Sequence, residues 1–130
     1  MQYIEPVELL NEKDKAIVRA LNSLVEEVEA VGYYHQRASV TDDKELKEIF
    51  LHSRNEEIEH VAMLLEWLRR NVDVFDKELK TYLFSQQNLL QKEKEEMKEI
   101  KQMKEEIVPL EATLGIGDMR QFDPEHPMDK

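Results

Sequence analysis

Between Val7 and Val108 the chain contains no proline and a single glycine, Gly32. Proline removes a backbone donor and glycine loosens the chain. A stretch this long almost free of both, and rich in Glu, Lys and Leu, is written for helix. Apart from Pro6, the remaining breakers gather at one end, at Pro109, Gly115, Gly117, Pro124 and Pro127. The fold class this predicts is all-α, followed by a less regular tail.

Apolar residues in that stretch recur at helical spacing. Ile17, Leu21, Leu24, Val28 and Val31 step by 4, 3, 4 and 3 residues, which places them on one helix face. A first helix is expected from Pro6 or Val7 to about Ala38. Ser39-Val40-Thr41-Asp42-Asp43 reads as a turn, with Thr41 or Asp42 as N-cap and Glu45 completing a capping box. A second helix then runs to about Arg70, striped by Leu46, Phe50, Val61, Leu64 and Leu68. Its closing Arg69-Arg70 suits the negative end of the helix dipole. Asn71-Val72-Asp73 breaks the pattern before a short third helix over about Val74 to Phe84. Lys92 to Glu106 holds five Lys and six Glu around Met97, Ile100, Met103 and Ile107. That composition reads as a solvated helix or a partly ordered linker. The expected organisation is a helical domain over 1–91, a charged helical linker over 92–108, and a tail over 109–130 that is disordered alone.

Two long helices and a short one form an antiparallel hairpin, not a closed bundle. One hairpin has a wide apolar face with nothing of its own to cover it. A dimer completing four helices is the simplest assembly.

Charge and cysteine count narrow the chemistry. The chain has 130 residues, 18 of them basic and 29 acidic, for a net charge of −11. Phosphate binding needs clustered basic charge, so nucleic acid and anionic membranes are excluded as partners. There is no cysteine, which rules out disulfides, zinc fingers, iron–sulfur clusters, thiol nucleophiles and blue-copper sites. Any metal must be held by carboxylates and the four histidines. The N-terminal residues show no signal-peptide pattern, and the longest apolar run is only Val61 to Leu65. A cytosolic, soluble chain is expected.

Glu57-Ile58-Glu59-His60 carries the sharpest signal. Its Glu-x-x-His spacing puts two metal ligands on one helix face. At about 100° per residue, Leu46, Phe50, Leu64 and Leu68 all project within about 20° of Glu57. Glu57 therefore interrupts the apolar stripe, and a carboxylate there is costly unless paired or bound to metal. A buried Glu–His or Glu–Arg pair that fixes helix register is the plainer alternative. Glu27 lies 14 residues before the turn centre at residue 41, and Glu57 lies 16 after it. In an antiparallel hairpin both stand roughly 21–24 Å from the turn, at 1.5 Å per residue. A ferritin-like di-metal site needs two Glu and two Glu-x-x-His motifs. One chain offers half of that set, Glu27, Glu57 and His60, and a twofold pair offers the whole. Oxygen-rich ligation with one imidazole per metal suits iron. The ligands alone leave ferroxidase, oxygenase and peroxide-reductase chemistry open. Glu26 and Glu29 project away from Glu27 and form a candidate outer shell that attracts cations. Tyr33 and Tyr34 follow closely, with Tyr33 read as edge packing. Trp67 and Met63 read as core or interface, His52 as solvated, and Arg69-Arg70 as a helix end.

These residues resemble a known family. Glu26-Glu27-Val28-Glu29-Ala30-Val31-Gly32-Tyr33-Tyr34, Asn55-Glu56-Glu57-Ile58-Glu59-His60, Leu65-Glu66-Trp67-Leu68-Arg69-Arg70 and Tyr82-Leu83-Phe84 look like the encapsulated ferritins. So does Glu5-Pro6-Val7-Glu8-Leu9-Leu10, and the similarity runs over about residues 4–84. Leu114-Gly115-Ile116-Gly117-Asp118-Met119-Arg120 is similar to the peptide that docks cargo inside encapsulin shells. The resemblance implies a cytoplasmic ferroxidase that oxidises Fe²⁺ inside a nanocompartment, which stores the mineral. It also implies a ring-shaped decamer built of dimers, with a diiron site between two subunits. The family's ligands fall on Glu27, Glu57 and His60, its outer carboxylates on Glu26 and Glu29, and its site tyrosine on Tyr34. Tyr33 replaces a tryptophan near the metal entrance of better-known members, and the linker here is Glu/Lys-rich, not Ser-rich. Leu114, Ile116 and Met119, with two flexible glycines, also have the composition of a peptide that folds on binding. The alternatives are a non-catalytic metal-binding cargo or adaptor of the same fold, and a rubrerythrin-like peroxide reductase.

Overall fold

The computed structural model describes residues 3–114. A short 3-10 turn over Val7–Leu9 leads into helix α1 (Glu12–Val40), followed by α2 (Lys44–Asn71), α3 (Asp73–Tyr82) and α4 (Leu89–Leu114). The described residues are all helix and connection, with no strand among them. The chain divides after Leu83 into two compact units, ahead of the boundary at residue 91 that composition suggests.

Local chemistry moves several helix ends from their expected places. The start expected near Pro6 or Val7 is only a 3-10 turn, and α1 begins at Glu12. Asn11 is its N-cap, with Oδ1 accepting from the Asp14 N–H at 2.7 Å. Such a cap satisfies an amide that has no partner within the helix. At the next start the cap is Asp43, not Thr41 or Asp42, and it accepts from the Leu46 N–H at 2.8 Å. Thr41 instead turns its hydroxyl back to the Arg37 carbonyl and closes α1. With only residues 41–43 between them, α1 and α2 must run antiparallel.

The two long helices pack along their length. Alanine at the contact lets them approach closely: Ala20 and Ala38 are buried, and Leu68 is the one large side chain fully enclosed among the described residues. The hairpin leaves Val25, Val28, Ile49, Ile58, Met63 and Trp67 exposed. By helical angle, Ile58 lies about 100° to one side of Glu57, while Met63 and Trp67 lie roughly 80–120° to the other. A single hairpin thus has two uncovered apolar sides and almost no interior.

Helix α3 has no side-chain cap at its start. It is held by ions instead. Arg69 near the end of α2 donates to Asp76 at 2.5 Å and to both oxygens of Glu66, and Lys80 donates to Asp76 at 3.0 Å. Arg69 thus does more than close a helix: it ties α2 to α3.

The second unit opens at Phe84, whose φ of 62° is left-handed. For a bulky residue that conformation costs about 1–2 kcal/mol. Helix α4 is capped by Asn88, whose Oδ1 accepts from the Gln91 N–H at 3.1 Å. It continues through Pro109 to Leu114. Regular structure therefore persists past position 109, where the tail was expected to begin. The linker is one continuous helix.

Candidate metal centre

Glu27 comes from the middle of α1, and Glu57 and His60 come from the middle of α2. The turn register brings them together. His60 Nδ1 lies 3.2 Å from Glu57 Oε2 and 3.5 Å from Glu27 Oε1. One ligand atom from each of the three falls within 4.8 Å of the others. Modest rotations bring such a set to the roughly 2.0–2.2 Å at which imidazole nitrogen and carboxylate oxygen hold a first-row divalent ion.

The trio is recessed but reachable. The Glu57 and Glu27 side chains are 24 % and 27 % exposed, and His60 is the most open at 46 %. Among the described residues neither carboxylate pairs with Lys or Arg. The nearest arginine along α2, Arg54, spends its guanidinium elsewhere. It contacts His35 Nδ1 at 3.1 Å and donates to Asn55 Oδ1 at 2.9 and 3.2 Å. Two carboxylates facing one imidazole make a candidate site for a cation. A carboxylate dimetal shell needs more ligands than these three.

The next layer toward the turn is aromatic. Tyr34 lies seven residues after Glu27, and Phe50 lies seven before Glu57. Both therefore share the ligands' faces, about 10 Å along the axis. Their ring centroids are 6.3 Å apart with a 34° tilt. The Arg37 guanidinium sits 5.4 Å from the Tyr34 ring centre and 6.0 Å from that of Tyr33, within cation–π range. Tyr33 is itself exposed at the helix edge.

Glu26 and Glu29 lie outside the trio and are exposed. Solvent-facing His52 pairs with Glu56 at 3.0 Å. Met63 and Trp67 do not form core in this chain. With Glu59, Ala62, Glu66 and Arg70 they line an open groove of about 440 Å³. Sequence reasoning gave His35 no role, and no spacing rule pairs it with Arg54 across 19 residues. The segment expected to dock a shell lies outside the described residues from Gly115 through Ile116, Gly117, Met119 and Arg120, as does His126; Leu114 is the last residue of α4.

The Glu66 and Asp76 carboxylates give the opposite case. The hydrogen bond from Arg69, reinforced by Arg70, holds the Glu66 carboxyl at about 2, well below its ordinary value of 4.5. The hydrogen bonds from Lys80 and then Arg69 likewise lower Asp76. Those same partners raise Arg69.

With this geometry in place, similarity to known proteins is informative. A family model described as EncFtn-like matches residues 2–86. The chain is 54 % identical over 94 residues to a ferritin-like protein of Thermotoga maritima, covering 72 % of this chain and 82 % of that one. It is 49 % identical over 82 residues to an encapsulated ferritin-like protein of Rhodospirillum rubrum, covering 63 % of this chain and 59 % of that one. The crystal structure of protein ne0167 from Nitrosomonas europaea superposes with a TM-score of 0.65 at 51 % identity. That match spans 68 % of this chain and 97 % of the other.

Proposed function

The chain belongs to the EncFtn-like family, and from that premise we propose that it is a ferroxidase whose substrate is Fe²⁺, bound where two copies of the chain meet. The observation that carries the reading is the Glu27–Glu57–His60 trio, brought to a common point with no Lys or Arg on its carboxylates among the described residues. Glu57 would bridge or chelate the metal, with Glu27 and His60 as further ligands. A twofold copy would double the set to two Glu and two Glu-x-x-His motifs. The uncovered apolar sides of the hairpin support that assembly, because water contact there is costly. Two such sides on one chain also suit a ring, the decamer built of dimers that the resemblance implies.

The reaction balances simply. Each bound Fe²⁺ gives up one electron, and a pair reduces O₂ to peroxide with uptake of two protons. Carboxylates are hard donors, so oxygen-rich ligation suits the ferric product. Glu26 and Glu29 would gather Fe²⁺ at the surface, helped by the net charge of −11, since a strongly acidic body concentrates cations. Tyr34 would wall the site on the turn side. Because this hairpin encloses no cavity for mineral, storage would fall to an encapsulin shell. The shell would be reached through Leu114, Gly115, Ile116, Gly117, Met119 and Arg120. Removing residues 114–130 should leave oxidation intact and abolish co-purification with a shell. None of the described helices is long and apolar enough to cross a membrane.

Oxygen uptake with added Fe²⁺ tests the proposal. The full chain should exceed the uncatalysed rate, and Glu57→Ala or His60→Ala should fall to it. Wild-type rates in either variant would overturn the site. Fe²⁺ binding without oxygen uptake by the parent chain would make the protein a non-catalytic metal-binding cargo. Turnover of H₂O₂ with a reductant would mark a peroxide reductase.

A further inference from the structure

Helix α4 carries an apolar strip that nothing in the proposed reaction uses. Ile100, Met103 and Ile107 are 38 %, 59 % and 45 % exposed. A lone helix of 26 residues with mixed charge is marginal in water, and an internal proline weakens it further. Its strip is spaced by three and then four residues, and the sequence places leucines at 110 and 114 in the same alternation. That alternation is the seam of a heptad repeat. In this register Glu99 and Lys104 flank the seam on opposite sides. A parallel copy would set Glu99 of each helix against Lys104 of the other. An antiparallel copy centred on the same strip would set Lys104 against Lys104. Charge therefore favours the parallel pair.

We propose that α4 pairs in parallel with α4 of a second copy through the Ile100–Met103–Ile107 strip. Glu93 and Glu96 fall at earlier seam positions, so the seam is confined to the C-terminal half. About two heptads are too few to pair from free solution. They suffice once the hairpins hold two helices together, because tethering raises the effective concentration to the millimolar range. The inference thus rests on the proposed assembly of hairpins.

The chain has no cysteine, so single cysteines report without background. Met103→Cys lies on the seam and Lys98→Cys lies on the opposite face. Each full-length variant is oxidised with copper phenanthroline, resolved without reductant, and sized in parallel by light scattering. Met103→Cys should link into dimers about tenfold faster or more than Lys98→Cys. Adding Ile100→Asp and Ile107→Asp should erase that preference while the particle mass stays unchanged. Equal linking at both positions in an assembled particle overturns the helix pairing and leaves the hairpin assembly standing. A monomeric parent chain overturns the hairpin assembly and the pairing with it.

Discussion

Helix α2 carries two acidic clusters that look alike in sequence and differ in kind. Glu57 sits on the stripe facing α1, with Glu27 and His60 as its company and no arginine or lysine bound. Glu66, nine residues on, is gripped by Arg69 and Arg70, and Arg69 reaches on to Asp76. The second cluster is electrically closed, and its work is to hold α3 against α2. The first is electrically open, with no Lys or Arg on its carboxylates among the described residues. Acidic residues on a helix are thus separated by what compensates them: a structural carboxylate has its counter-charge built in, and a metal-gathering one does not.

The largest expected effect lies in oxidation. Glu27→Gln and Glu57→Gln should each bring Fe²⁺ oxidation down to the uncatalysed rate, while Glu66→Gln should keep it within about twofold of the parent. Equal losses from all three, followed by oxygen uptake, would erase the distinction. Next is the scaffold shared by both clusters. Leu68→Ala should cost about 2–5 kcal/mol in urea unfolding, because it empties the one large enclosed position. Stability should then separate the clusters by sign. In metal-free protein Glu57→Gln should raise Tm by about 2–4 °C, since it removes a carboxylate with no cationic partner. Glu66→Gln should lower it, because it leaves Arg69 short of an acceptor.

The smallest effect is a pH dependence. Glu66 is held at about 2 against an ordinary 4.5. A depressed carboxyl contributes its stability fully above its unfolded value and loses it as pH falls toward the folded one. The Glu66–Arg69 clasp within α2 should therefore weaken between about pH 4.5 and about pH 2, and the Asp76 tie to α3 should weaken as pH falls below the ordinary 3.8 of that carboxyl. Trp67, the single tryptophan, shares a groove with Glu66 and Arg70, so its emission should report the change. A flat signal through that window would show that the Arg69 clasp adds nothing to the junction.

Much of this was legible before any coordinates. The stripe of α2 singled out Glu57 as a polar residue in an apolar row. The count from the turn then set Glu27 opposite it, because rise per residue and a short connection fix height in an antiparallel pair. Caps were less legible. Thr41, Asp42 and Asp43 are all competent N-caps for α2, and the choice of Asp43 depends on which backbone angle the turn leaves to each. Arg69 was hidden for a different reason. Nothing in a run of two arginines says that the next helix will fold back and offer Asp76.

Helicity, the open hairpin of α1 and α2, and the common height of Glu27, Glu57 and His60 all follow from the order of residues. Each of these follows from periodicity and length, which are properties of a helix taken alone. Which charges meet is settled by packing. Arg54 turns to His35 and Asn55, Arg69 turns to Glu66 and Asp76, and Glu27 and Glu57 are left to His60. Long side chains choose partners by distances of a few ångströms across packed elements, and no spacing rule along one chain contains that information.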